Sequence, residues 1–68
     1  METSDLDMAE KSLREAMEKE PENSSIMINF GLLCLKKNDK EQAKSFFRTA
    51  LEFDPDNKYA KKYLEEIE

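Results

Sequence analysis

Apolar residues recur at spacings of three and four along most of the chain, the period of helices buried on one face. Leu6, Ala9, Leu13, Ala16 and Met17 form one stripe and predict a helix over 5–19. Ser4 is placed to cap it, and Asp7 suits the positive end of the helix dipole. Pro21 lacks an N–H and disfavours the α conformation at Glu20, so the helix should stop near Lys19. A second helix is predicted over 24–37, where Lys36 and Lys37 meet the negative end of its dipole. Asn38 tolerates a left-handed conformation, and Asp39 with Gln42 three residues on forms the start of a third helix over 40–53. That helix carries Ala43, Phe46, Phe47, Ala50, Leu51 and Phe53 and ends before Asp54-Pro55. Asn57 then caps a short fourth helix over 58–67 with Ala60, Leu64 and Ile67. No strand-like alternation competes, so the class is all-α with antiparallel neighbours joined by short connections.

The pattern also repeats. Residues 5–23 (DLDMAEKSLREAMEKEPEN) align without gaps on residues 39–57 (DKEQAKSFFRTALEFDPDN), at a constant offset of 34. Seven of these 19 positions are identical: Asp5/Asp39, Ala9/Ala43, Arg14/Arg48, Ala16/Ala50, Glu18/Glu52, Pro21/Pro55 and Asn23/Asn57. Leu13/Phe47, Met17/Leu51 and Glu20/Asp54 keep their chemistry. The match continues weakly as Ile26, Phe30 and Leu33 over Ala60, Leu64 and Ile67.

A helix-turn-helix period of this length resembles the tetratricopeptide repeat. Residues 24–57 look like one complete repeat, with Met27, Phe30-Gly31, Cys34, Ala43, Phe47, Ala50 and Pro55 at the marker places. Met27, Phe30, Cys34 and Asn38 differ from the family's usual residues but keep the size class or the backbone tolerance. Gly31 and Ala43 would sit where two helices cross closely, and Phe47 would fill the space between hairpins. Residues 5–23 then resemble the second helix of a preceding repeat. Residues 58–68 resemble the first helix of a following one, acting as a terminal cap because Glu65 replaces the small residue needed for further packing. The expectation is a single small domain over 1–68, an antiparallel, right-handed superhelical stack of about four helices. Its core should contain Leu13, Met17, Met27, Phe30, Cys34, Phe47, Leu51 and Leu64.

Composition narrows the chemistry. The chain has 68 residues, 40% of them charged, with a net charge of −5. There is no histidine, hence no usual general base and no commonest zinc ligand. The one cysteine cannot form an internal disulfide, which fits a reducing compartment and predicts a cytoplasmic chain. Cys34 as a nucleophile would have no histidine to activate it, and its inward position predicts a buried, slowly reacting thiol. The single glycine rules out a glycine-rich phosphate loop. No clustered basic face exists for nucleic acid or an anionic membrane surface, and the uncharged stretch 24–35 is too short to span a bilayer. No enzyme activity, metal or cofactor is therefore expected.

The resemblance implies a scaffold that binds a peptide or protein on the concave surface lined by each repeat's first helix. One family variant clamps the acidic tail of a chaperone, but only Asn29 matches its middle-repeat residues, and Tyr59 and Tyr63 stand where bases are needed. On the resembling geometry Ser25, Ile28, Asn29, Leu32, Leu35 and Lys36 turn toward the concave side. Three large aliphatics on a face meant for water predict an apolar or amphipathic partner segment, or a second copy of this chain as a homodimer. The alternative is a structural role, as a fragment of a longer array or a self-associating minimal repeat.

Overall fold

The computed structural model describes residues 5–67 and, among them, four helices without strands: α1 (Asp5–Lys19), α2 (Ser24–Lys36), α3 (Lys40–Phe53) and α4 (Lys58–Ile67). The predicted Ser4 cap and the last residue of the predicted 58–68 cap lie outside the described residues. Lys37, predicted as the end of the second helix, is its C-cap instead.

Two asparagines 34 residues apart start α2 and α4 in the same way. Asn23 Oδ1 accepts from the Ser25 and Ile26 amides at 2.8 and 3.3 Å, and Asn57 Oδ1 from Tyr59 and Ala60 at 3.1 and 3.2 Å. Each satisfies backbone donors that a helix start leaves open. The Asn57 side-chain Nδ2 also donates to Ser24 Oγ at 3.3 Å, tying the starts of α2 and α4. Between α2 and α3 the chain reverses through Asn38, whose φ of 64° puts it in the left-handed region. The Asp39 and Asn38 amides donate back to the Cys34 and Leu35 carbonyls at 2.8 and 3.0 Å, and Asp39 Oδ1 then caps α3 at the Gln42 amide. This is the helix-ending motif that a residue tolerant of positive φ permits.

The core lies between α2 and α3, whose interface is the most extensive of the fold. Phe47, Ala43, Ala50 and Ala60 are fully buried, with Met27, Phe30, Ile26, Ile28 and Leu33 nearly so. Gly31 faces the Phe47 ring so closely that position 31 has no room for a side chain of its own where α2 crosses α3. Phe47 stacks on Tyr63 of α4 at 5.5 Å between ring centroids, and Phe30 on Phe46 at 5.0 Å.

The predicted core is corrected in one respect. Leu13, Met17, Cys34, Leu51 and Leu64 are half-buried, not enclosed. Leu13 and Met17 sit on α1 and Leu64 on α4, and each of those helices packs against the stack from one side.

Candidate functional site

The six residues expected on the concave side divide by burial. Ser25, Asn29 and Lys36 are exposed, Leu32 and Leu35 half-buried, and Ile28 buried at 8% exposure. Ile28 and Leu35 pack against the core, so they back the surface from within. Asn29, Leu32 and Lys36 come together along one wall of a cleft of about 450 Å³ between α2 and α1. The opposite wall is Asp5, Leu6, Ala9, Ser12 and Leu13 of α1, with Leu33 at the floor side of α2. The lining is mostly apolar, with Asp5, Ser12, Asn29 and Lys36 as its polar members, a mix common to ligand and peptide seats.

The α1 wall was not singled out from sequence. The signal lay in the repeat: Ala9 aligns with Ala43, yet Ala9 is exposed where Ala43 is fully buried. Among the described residues nothing covers α1 as α2 covers α3.

A second cleft, about 340 Å³, opens on the other side of the α1–α2 pair. Glu10, Arg14 and Lys37 line its rim, while Met17, Phe30, Cys34 and Phe46 form its wall. Its charges already satisfy each other. Lys37 Nζ donates to Glu10 Oε1 at 2.7 Å, and Arg14 donates to Oε2 of the same carboxylate. The lysine's hydrogen bond holds the Glu10 carboxyl below its ordinary value, and the same bond raises the Lys37 ammonium. Burial pushes the Cys34 thiol up, so little reactive thiolate is present near neutral pH. This cleft reads as the seam of a docked helix, and the first cleft is the candidate site.

The Glu10–Lys37 pair links α1 to α2 and makes a pH prediction. A carboxyl lowered in the fold contributes stability above its unfolded value of 4.5, and that stability is lost as pH falls through the lower folded value. The raised lysine contributes below 10.5 and loses its share as pH rises through the higher folded value. Thermal melts of the parent and Glu10→Gln should therefore differ most at neutral pH and converge in acid below 4.5. The gap should be small, as for exposed pairs generally, and shrink in high salt. Equal gaps at neutral and acid pH would show that the pair is not the link.

Among the described residues no group of three His, Cys, Asp or Glu could hold a metal ion, and no helix is long and apolar enough to cross a membrane. A model of the tetratricopeptide repeat matches residues 1–67. No curated protein and no solved structure matches the chain.

Proposed function

Because the chain belongs to the tetratricopeptide repeat family, whose repeats are generally non-catalytic protein-interaction modules, we propose that its contact surface is the exposed side of α2 and the cleft beside it. Ser25, Asn29, Leu32 and Lys36 make the contact, backed by Ile28 and Leu35. The partner is a protein presenting an apolar or amphipathic segment.

The observation that carries this reading is Leu32. It lies in the middle of an uncharged stretch, residues 24–35, in a chain that is 40% charged, and it stands half-open in the cleft between Asn29 and Lys36. An aliphatic side chain held there by its own helix gains when a partner removes it from water, and its polar neighbours supply orientation. The body measures 39 × 28 × 15 Å, a flat stack of packed helices. Such a body offers a shallow surface, which suits a helix or a flat partner better than a deeply gripped extended tail.

The test is Leu32→Glu. Leu32 is not enclosed, so the variant should keep the helical circular dichroism of the parent. A charge left unpaired in an apolar contact costs about 1–3 kcal/mol or more, so partners should be weakened roughly tenfold or beyond. Lys61→Glu, an exposed change on α4, should retain them. If Leu32→Glu holds every partner as tightly as the parent, the contact lies elsewhere.

A further inference from the structure

We propose that the occupant of the α1 side of this cleft is a partner's amphipathic helix, seated antiparallel on α1 as α2 is seated on α3, with a small residue at the crossing and basic residues in its last turn. The proposal rests on the reading that the chain is a protein-interaction module.

The repeat supplies the template. On α3, Ala43 and Phe47 are fully buried because α2 lies across them, its Gly31 facing the Phe47 ring. The equivalent residues of α1 are Ala9 and Leu13, and they are exposed and half-buried. Met8, a large apolar residue one turn before Ser12, is 68% exposed on the same helix. The other end of the stack is finished differently. At the places on α4 that correspond to Met27 and Gly31 stand Lys61 and Glu65, both exposed, so that face is made for water. One end is thus closed by charge and the other left apolar.

Polarity and charge specify the occupant further. A helix antiparallel to α1 brings its last turn over the first turn of α1, where Asp5 lines the cleft beside Leu6 and Ala9. Residues 5–23 hold seven acids against three bases, the most acidic part of the described chain. The negative end of the occupant's dipole would meet these acids unless lysine or arginine stood there. The chain uses this device itself: Lys37, at the end of α2, reaches Glu10 of α1. Leu13 is smaller than Phe47, so alanine or serine serves at the crossing as well as glycine.

The probe is a peptide of the α2 sequence, residues 24–37, carrying Ile26→Lys, Leu33→Lys and Cys34→Ser. The two lysines stand on the face that α2 turns to α1, which stops the peptide from displacing α2 and keeps it soluble. The full chain, isotope-labelled, is titrated with this peptide. Expected are shifts at Ala9, Ser12 and Leu13, helix gained by the peptide, and a loss of about tenfold or more in affinity with Ala9→Glu. Ala9 is exposed, so Ala9→Glu leaves the fold intact. A peptide with Lys36→Glu and Lys37→Glu should bind several-fold more weakly, and more nearly equally in high salt. Binding that survives Ala9→Glu but is lost in Leu32→Glu overturns this proposal and leaves the module reading standing. Binding lost in Ala9→Glu alone supports the helix seat and moves the contact off α2. No shift at millimolar peptide, or a chain that dimerises through Ala9 by itself, overturns it.

Discussion

Phe47→Ala is expected to leave the chain largely unfolded at room temperature. Phe47 is the largest fully buried side chain, lying under Gly31 on one side and stacked on Tyr63 on the other. It therefore joins α2, α3 and α4 at one point. Truncating a buried phenylalanine costs about 3–5 kcal/mol, the lost transfer energy plus the cavity left behind. A core in a chain of this size supplies no more than about 3–5 kcal/mol net. The two figures are equal within their spread, so little remains to hold the fold. Circular dichroism at 25 °C checks this directly. A variant that melts cooperatively within a few degrees of the parent would mean the core is not centred on this ring.

The second large effect is expected at Gly31, where two forces oppose. Alanine favours a helix interior over glycine by about 1 kcal/mol. Yet a Cβ on Gly31 would stand 2.5, 2.7 and 2.9 Å from Cε1, Cζ and Cδ1 of Phe47. The ring cannot swing aside, because it is fully enclosed and stacked. The helices must separate instead, and packing is lost along the whole α2–α3 crossing. Sterics should win, so Gly31→Ala should melt below the parent despite its better propensity. Gly31→Leu, with three more carbons, should lose at least the ~1–3 kcal/mol typical of overpacking. In a domain this small each kcal/mol moves the midpoint by roughly 4–8 °C. A Gly31→Ala melt at or above the parent would show that the ring yields.

These two residues belong to the part of the molecule that was legible in the sequence. The offset of 34, the breaks at Pro21 and Pro55, and the tolerance of Asn38 for positive φ locate every helix within a residue. Such signals are local: a cap or a breaker acts on backbone groups a few positions away. The degree of burial was less legible. Met17 and Leu13 carry the same spacing as Leu51 and Phe47, but periodicity reports only which side of a helix faces a neighbour. It does not report whether a second neighbour covers the same side. Cys34 shows the same limit, since the cleft beside it follows from how α1 leans on α2 at the Glu10–Lys37 contact. For the site, the uncharged stretch on α2 was visible as a composition shift. The facing wall on α1 was not, because Ala9 and Leu13 look like ordinary core residues until their cover is found wanting.

α1 contains no buried residue, whereas α2 holds six and α3 three. Stability is therefore graded along the chain. Amides near Phe47 exchange with solvent only when the whole fold opens, but those of α1 have a cheaper route, in which this one helix lifts off while the α2–α3 hairpin stays closed. Contacts run mainly between helices adjacent in sequence, most extensively within that hairpin. A protein that docks against α1 must then hold still a helix that otherwise opens on its own, and the ordering entropy enters its affinity. The proposed binding would be read out as motion suppressed at one end of the chain, with the hairpin at its centre unchanged.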